Sequence, residues 1–415
     1  MGSGQLLLVC SARQREGIDM KKRIVQCLLT GTLLCACLIL SFQGQEIGKE
    51  AEEESDPVYE LAALVPVSGD LSYIGEPVQW VLEYVEEKIN EEGGIAGIPI
   101  EITVIDTEFD TDLVLAAAEE LLEDQRIILG PVDAPGTQAI AELIVQQGVP
   151  NLASYTYESI REETAPYGIS YMSDSADGER NALECWCALH PELEQVVILA
   201  NPDDSAQVED AELLAEELAD LGLELLDIVY LNMEDNGGLE GVVQALNAKA
   251  DGYISLLRSE EYGLLVTELR KRGVEDGWRI TASFSAYDTE MFEENAQALA
   301  GTYIWNQFDV DYEGEEWQEL LEAYALDHSG STPDTVAVAE VYNAVMAWKQ
   351  CIEELGLAPE AEDLTAERQA IAEWFYNSPV LEGIQGSYQW VNGEKLASFY
   401  YFQFAEDGTL ELVGQ

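Results

Sequence analysis

Short apolar segments alternate with amphipathic helical segments along most of this chain. Residues 60–66 form a near-continuous apolar run that ends at Pro66 before a Ser-Gly turn, as expected for a central strand buried on both faces. Apolar residues then recur with helical spacing from Val78 to Ile89. The alternation continues with strands at 100–105, 127–129 and 149–153 and helices at 111–123 and 136–147. This order predicts a mostly parallel sheet with helices on both faces.

A second series of the same kind follows the polar stretch 173–178. It comprises helices near 179–190, 206–222, 239–249 and 260–273, with strands at 195–200, 225–231, 252–256 and 279–283. The last part departs from this order, with a strand at 301–305, helices near 315–326, 334–355 and 366–376, and strands at 385–391 and 397–404. The sequence therefore predicts an α/β protein of two lobes, with the C-terminal part returning to both.

The acidic balance of the chain restricts its partners. Its 415 residues include 81 Asp and Glu but only 19 Lys and Arg, which gives a formal charge of −62. A field of this sign repels polyanions, so nucleic acid is not an expected partner. The hydrophobic fraction of 47% is sufficient for extended cores, and the length predicts two to three domains.

The N-terminal segment has the pattern of an export signal. From Met20, which can be the true start, basic residues precede an apolar run that reaches Phe42. The letters LCAC ending at Cys37 resemble a bacterial lipobox, so residues 1–37 are predicted to be a signal peptide and lipobox with Cys37 as the lipidated residue. Because residues 38–42 remain apolar, an uncleaved anchor is the alternative. Residues 38–57 are predicted to be an acidic tether of an extracytoplasmic lipoprotein, at the cell surface or in the periplasm.

Other chemical signatures in the sequence are weak. The seven cysteines predict no disulfide framework, since four precede residue 38 and Cys185 and Cys187 point to different sides of one predicted helix. The segment 309–320 begins like a calcium loop but has Leu320 where a bidentate glutamate is needed. Phosphate-binding, serine-hydrolase and zinc-protease motifs do not occur. No metal, no cofactor and no enzymatic activity are therefore expected.

Several motifs resemble the amino-acid-binding periplasmic receptors of the Leu/Ile/Val type. They are PVSGDLSYIG at 66–75, INEEGGIAG at 89–97 before a strand ending in Asp106, ILGP at 128–131 and GVP at 148–150. Two further segments are similar to crossovers of that family, namely SDSADGERNA at 173–182 and GSYQW at 386–390. The resemblance covers roughly residues 58–405.

The resemblance implies a periplasmic-binding-protein type I fold, in which two lobes joined by three hinge strands close on a small molecule. The lobes would comprise 58–174 with 303–380, and 175–302 with 381–415. A protein of this family passes its ligand to the permease of an ABC importer or to a sensor. It is expected to be a monomer that contacts the membrane through a lipid anchor only.

The carboxyl ends of the predicted strands mark the expected ligand site, because ligands of open parallel sheets bind in the loops that follow the strands. Gly136 and Thr137 open a predicted helix, whose free N–H groups and positive dipole end suit a carboxylate. Hydroxyl groups and aromatic walls are available in the same set of loops. On these grounds the predicted ligand-binding residues are Ser68, Tyr73, Gly136, Thr137, Tyr155, Thr156, Tyr157 and Ser205.

The resemblance adds Ala134, Arg258 and Phe284 to this set. Ala134 aligns with a carboxylate-binding serine of the similar receptors, and Tyr157 aligns with a threonine of their next loop. In the second lobe, Arg258 aligns with a tyrosine near the ligand amine, and Phe284 aligns with the glutamate that pairs with the ammonium. A branched-chain amino acid is therefore not the expected ligand, and a carboxylate or amide without a free amine is favoured.

The charged residues near this site allow two interpretations. Arg258 could clamp a carboxylate with two hydrogen bonds, or it could pair with a neighbouring surface acid. Asp133, Asp203 and Asp204 could bind a cation or an amine, or they could be solvated. The sequence leaves both alternatives open.

Three classes of function are compatible with these features. The leading expectation is an extracytoplasmic solute-binding protein that closes on a small polar organic ligand, such as an amino acid, amide or carboxylate, and delivers it to an ABC importer. The second is a ligand-sensing extracellular domain used for signalling. The third and most remote is a carboxylate-dependent hydrolase, which needs two acids about 5–9.5 Å apart in a cleft.

Overall fold

The computed structural model describes residues 57–415 apart from 157, 234, 235, 310 and 334. These residues form one compact unit. The predicted signal peptide with Cys37, and the predicted tether up to Asp56, lie outside the described residues. Within the described part, no helix is both long enough and apolar enough to cross a bilayer.

The first lobe begins with five parallel strands in the order β2-β1-β3-β4-β5. The strands are β1 (Tyr59–Val65), β2 (Ile100–Asp106), β3 (Ile128–Leu129), β4 (Asn151–Ala153) and β5 (Gly168–Ser170). The helices between them are α1 (Ser72–Glu91), α2 (Thr111–Asp124), α3 (Ala134–Gln147) and α4 (Glu158–Thr164). Every residue of β1 except Glu60 is buried, as its continuous apolar run predicts.

The chain then crosses into the second lobe. Its elements are α5 (Ser175–Leu189), β6 (Gln195–Ala200), α6 (Ser205–Glu217), β7 (Glu224–Tyr230), α7 (Asn236–Ala248), β8 (Gly252–Ser255), α8 (Ser259–Lys271), β9 (Ile280–Ala282), α9 (Thr289–Leu299) and β10 (Tyr303–Asn306). Strands β6 to β10 are parallel in the order β10-β9-β8-β6-β7. Short 3-10 turns, Gly277–Arg279 and Phe284–Ala286, flank β9.

The C-terminal part returns to both lobes. It comprises α10 (Glu315–Asp327), α11 (Ala337–Leu355), α12 (Leu364–Tyr376), β11 (Leu381–Gly383), β12 (Gly386–Val391), β13 (Glu394–Leu396), β14 (Tyr400–Phe404) and β15 (Leu410–Gly414). The three helices share the hydrophobic core of the first lobe with α1 and β1. Strands β11 to β13 form a separate antiparallel sheet, whereas β14 and β15 add antiparallel strands beside β10. The two-lobed α/β fold is therefore confirmed.

Three parts of the chain differ from what the sequence predicted. The strand at 301–305 was assigned to the first lobe through the boundary at residue 303, but β10 pairs with β9 and β14 in the second-lobe sheet. The segment after residue 380 is predicted in the second lobe, but Leu381, Ile384, Tyr388 and Trp390 lie in the hydrophobic core of the first lobe. Helix α1 begins at Ser72, ahead of the apolar spacing that starts at Val78. The early start is possible because Gly75 lies against β1's end, where a Cβ would come within 1.9 Å of the Pro66 carbonyl oxygen.

Candidate functional site

The loops at the carboxyl ends of both sheets meet the first crossover between the lobes. On the first-lobe side, Thr156 follows β4, and its carbonyl oxygen accepts hydrogen bonds from the Ser175 N–H at 3.3 Å and from its hydroxyl at 3.4 Å. Ser175 opens α5, which belongs to the second lobe. The predicted ligand-binding loops are therefore adjacent to the hinge, as the resemblance implies.

The N-terminus of α3 is already capped by an acid of the chain. The Asp133 carboxylate accepts a hydrogen bond from the Gly136 N–H at 2.6 Å through Oδ1, and the Thr137 hydroxyl donates to the Asp133 carbonyl oxygen at 2.8 Å. A Cβ at Gly136 would lie 2.9 Å from Oδ1, so glycine allows this close approach. Both residues predicted to hold a ligand carboxylate are therefore engaged with Asp133.

Asp133 has a second oxygen that is not used by the cap. The residue is 8% exposed, and Oδ2 has no hydrogen-bond partner among the described residues. Burial raises the pKa of this carboxyl, while the hydrogen bond from Gly136 opposes the rise. Tyr171, fully buried at the crossover, lies close enough for the Asp133 charge to raise the pKa of its hydroxyl, although burial is the larger cause.

Ser68 and Tyr73 lie at the rim of the first lobe. The Ser68 hydroxyl donates to Asp106 Oδ2 at 2.7 Å, and its N–H donates to Oδ1 at 3.1 Å. Partial burial favours protonation of Asp106, but the hydrogen bonds from Ser68 and Glu108 outweigh it and lower the pKa of this carboxyl. Ser68 thus ties the β1 turn to the end of β2, and Tyr73 is 65% exposed on α1.

The next loop of the first lobe contributes a buried aromatic residue. Tyr155 is 3% exposed, packs with Ala153, Ile160 and half-buried Ala134, and has a pKa raised by burial to about 12. The Thr164 side chain faces its hydroxyl and opposes this rise. Tyr157 lies outside the described residues.

The second lobe places Arg258 against an acid. Its Nε lies 2.7 Å from Asp204 Oδ2, with the guanidinium side chain 60% exposed and the aspartate 18% exposed. Asp204 also caps α6, which begins at Ser205, by accepting from the Ala206 N–H at 3.1 Å. Of the two interpretations left open by the sequence, the structure thus displays pairing with a neighbouring acid.

Phe284 and Trp305 form an aromatic wall at the carboxyl ends of β9 and β10. Their ring centroids are 4.9 Å apart at an interplanar angle of 54°. Trp305 is fully buried, and it also packs on α5, because a Cβ at Gly178 would come within 2.2 Å of its ring. Phe284 is half-buried beside it.

Sequence reasoning missed Glu179, which lies beneath this wall. Glu179 is 6% exposed, and burial raises the pKa of its carboxyl to about 7, with Asp210 adding to the rise and Ser283 and Trp305 opposing it. The Trp305 indole N–H faces the Glu179 carboxyl, and this contact is one of the two that oppose the rise of its pKa. A signal was present in the sequence, since Glu179 is the charged residue among the otherwise uncharged buried residues of α5.

Asp210 on α6 was also missed. Burial raises the pKa of its carboxyl to about 7, and the charges of Glu209, Asp204 and Asp174 raise it further while Arg258 opposes them. On the other side of the crossover, Arg161 lies 3.9 Å from Asp174 and 3.3 Å from Glu394.

These acids form a connected group around the crossover. Burial raises the pKa of Glu394, and the neighbouring acids Asp177 and Asp174 raise it further. Asp174 caps α5 and Asp177 lies in its first turn, so these two carboxyls connect Glu394 of β13 with the acids of α6. We use the name acidic cleft cluster for Asp174, Asp177, Glu179, Asp204, Asp210 and Glu394. Two guanidinium groups, those of Arg161 and Arg258, face it. None of its members was a predicted ligand residue, and only Asp204 was named in advance as able to bind a cation.

The second crossover follows β10, and the third lies between β13 and β14. Polar side chains tie the segments around the three crossovers together. Gln307 accepts from the Ser173 N–H at 3.0 Å and donates to its carbonyl oxygen at 3.2 Å, which joins the second crossover to the first. Gln385 makes the same pair of bonds to Asp309, at 2.8 and 2.9 Å. A buried ion pair between Lys395 and Glu340 lies beside them, and Lys395 Nζ also donates to the Tyr171 carbonyl oxygen at 2.8 Å. Burial lowers the pKa of Lys395.

The cavity beside this ion pair is not a ligand site. It measures about 20 Å³ and is lined by Gln307, Glu340, Asn343 and Lys395 among others. Such a volume holds about one water molecule. In the described ranges, His, Cys, Asp and Glu residues form no group of three that could hold a metal ion.

The fold and the cleft together define a two-lobed solute-binding protein. A family model described as periplasmic binding protein matches residues 59–408, and the chain belongs to this family. No curated protein matches the sequence. The expected family and fold are therefore confirmed, and the family comprises solute-binding proteins rather than enzymes.

Solved structures agree in fold at low sequence identity. A leucine-binding protein, LivK, from Thermotoga maritima is 18% identical with a TM-score of 0.69, over 86% of this chain and 97% of that one. LivJ from Streptococcus pneumoniae in complex with isoleucine is 16% identical with a TM-score of 0.69, over 86% and 100%. A solute-binding protein from R. palustris in complex with benzoate is 14% identical with a TM-score of 0.68, over 86% and 96%.

Proposed function

We propose that this protein is an extracytoplasmic receptor that closes its two lobes on a small polar organic ligand and delivers it to the permease of an ABC importer. The observation that carries the proposal is that residues at the strand ends of both sheets contact the start of α5 at the crossover: Thr156 of the first lobe accepts from Ser175, and Trp305 of the second packs against Gly178. Parallel sheets bind ligands at these ends.

The hinge supports closure as the working motion. The three connections between the lobes are held to one another by Gln307, Gln385 and Lys395, so they form one narrow joint. Rotation about such a joint brings the two sets of loops together or apart without disturbing either core. A ligand that contacts both lobes shifts this equilibrium towards the closed state.

We propose that strand-end loops and helix starts of both lobes line the cleft. Among the sequence-predicted positions, these are Ala134, Thr156, Ser205, Arg258 and Phe284. Ser68 and Tyr73 would act at the rim. The ligands of the similar structures, isoleucine in one and benzoate in another, indicate that this fold accommodates different small organic molecules.

Anchoring and assembly follow from the sequence alone. The lipidated Cys37, the acidic tether and the monomeric state are predictions, and the lipid would hold the body at the outer face of a membrane. The ligand-sensing alternative uses the same binding event, so it differs only in the membrane partner.

A thermal-shift screen of residues 57–415 tests the receptor function. The body is a suitable sample because it is one compact unit that matches nearly whole chains of solved relatives. A ligand present at 100 times its Kd raises the free energy of unfolding by about 2.7 kcal/mol. We expect such a rise with one class of small organic molecule, together with a more compact form in X-ray scattering.

The controls separate binding from delivery. Glu120→Gln, on the exposed face of α2, should leave any shift unchanged. Ligand-dependent stimulation of a reconstituted ABC permease would support import, whereas binding without any permease response would support sensing. Absence of both a thermal shift and compaction across the screen would contradict the receptor function.

A further inference from the structure

The place that suits a ligand carboxylate in this fold is occupied by the chain's own carboxylate. Asp133 Oδ1 accepts a hydrogen bond from the Gly136 N–H at the start of α3, so the chain's own carboxylate neutralises the positive end of that helix. An acidic ligand entering here would meet a like charge at short range, which is unfavourable in a buried setting. The α3 N-terminus is therefore not available to an anion.

The crossover and the adjoining part of the second lobe are acidic as well. The acidic cleft cluster contributes six carboxyls against the guanidinium groups of Arg161 and Arg258, so acids remain in excess after both arginines are paired. The pKa values of Glu179 and Asp210, both raised to about 7 by burial and by neighbouring acids, indicate that these carboxyls lack full compensation. An incoming positive charge would relieve this repulsion.

An unsatisfied buried oxygen in a strand-end loop of the first lobe supports a ligand independently of the charge count. Asp133 is 8% exposed, and its Oδ2 has no hydrogen-bond partner among the described residues. Buried polar groups are normally hydrogen-bonded, so an unpartnered oxygen at a cleft indicates that a ligand completes it. Asp133 offers an acceptor oxygen, which requires a donor.

Glu179 can replace the ammonium-binding glutamate that the resemblance implies at position 284. Phe284 stands where the resemblance implies a glutamate that pairs with an ammonium. Glu179 of α5 lies next to Ser283 and Trp305, so its carboxylate reaches the vicinity of Phe284 from the side of the hinge. An aromatic face beside carboxylates is a favourable environment for an organic cation.

We infer that the ligand is an organic cation, held through an ammonium or guanidinium group between Asp133 and the acidic cleft cluster, with no ligand carboxylate at the α3 N-terminus. This inference rests on the proposed receptor function and specifies its ligand class. It differs from the expectation of a carboxylate or amide, because the two features behind that expectation, the α3 N-terminus and Arg258, are both engaged by aspartates.

Calorimetry with charge-matched probes tests the ligand class. The cations agmatine, putrescine and choline are compared with benzoate, with leucine and with the neutral carbon isostere of choline, using residues 57–415 at low salt. At least one cation should bind with compaction, while benzoate and the isostere do not. Asp210→Asn and Asp133→Asn should each weaken that binding by about tenfold or more, as expected for loss of a partly buried charge partner.

Arg258 provides the sharpest test because its removal acts with opposite signs on the two ligand classes. Arg258→Met frees Asp204, so it should tighten cation binding, whereas it would weaken a carboxylate held by the guanidinium. Arg272→Met, at the other end of α8, is the matched control and should change neither. Unchanged melting of the apo variants would show that each has folded.

The outcomes separate this inference from the function on which it rests. Binding of benzoate or leucine with no response to the cations would overturn the inference and leave the receptor function intact. Weakened cation binding in Arg258→Met would also overturn it. If no probe binds and none causes compaction, the result would contradict both the ligand class and the receptor function.

Discussion

Asp133 and Glu179 demonstrate how single side chains redirect a common fold. One caps a helix whose free N–H groups would otherwise suit an anion, and the other is a buried acid on a helix face that is otherwise uncharged. Their loops and helices were predicted from the sequence, but their roles were not. Cap occupancy depends on a rotamer, and the surroundings of Glu179 depend on contacts from β9 and β10 that local periodicity does not encode.

Glu179 should make stability depend on pH in an unusual direction. Because the pKa of its carboxyl is raised from an ordinary 4.5 to about 7, the folded state binds this proton more tightly than the unfolded state. Its contribution to stability is thus fully present below about pH 4.5, falls as the pH rises to about 7, and stays low above that. Asp210 faces it and reinforces the effect.

Glu179→Gln should therefore be more stable than the native protein at pH 8, by about 2 kcal/mol, with the difference disappearing near pH 4. Urea unfolding at both pH values measures this. Glu184→Gln, exposed on the same helix, is the control and should show no such dependence. An equal offset at both pH values would contradict the assignment of the raised pKa to Glu179.

At the scale of elements, aspartate is the recurrent helix start signal. Among the helices whose starts the structure describes, six begin with an aspartate side chain that accepts a backbone N–H, at Asp110, Asp133, Asp174, Asp204, Asp288 and Asp363. Part of the acidity therefore serves local structure. Most helices and strands were predicted correctly because caps and apolar spacing are local signals. The sheet to which β10 belongs was not predicted correctly, because the pairing of strands is decided by residues that are far apart in the sequence.

The small sheet β11 to β13 depends on the ion pair between Lys395 and Glu340. Both residues are almost fully buried, so removing one partner leaves an uncompensated charge. Lys395→Met should cost about 3–5 kcal/mol of unfolding free energy, whereas Lys395→Met with Glu340→Leu should recover most of the loss. Denaturant unfolding of the three variants forms the double-mutant cycle, and additive losses in the double variant would show that the pair is not coupled.

At the scale of the whole molecule, charge is the dominant property. A formal charge of −62 makes the folded state repel itself at low ionic strength. Raising NaCl from about 0.1 to 1 M shortens the screening length from about 10 to 3 Å, so the melting temperature should rise. Scanning calorimetry measures this, with sucrose as the uncharged comparison. A melting temperature independent of NaCl would indicate that the carboxylates are already compensated by bound cations.

The two glutamine ties at the hinge have a mechanical consequence. Each binds both the N–H and the carbonyl oxygen of a single residue, as a neighbouring β-strand would, but it does so at the end of a side chain with rotatable bonds. A backbone ladder resists twisting, whereas a glutamine side chain can turn about its own bonds while both hydrogen bonds persist. We therefore expect Gln307 and Gln385 to let the crossovers rotate relative to one another while the distance between them stays constant.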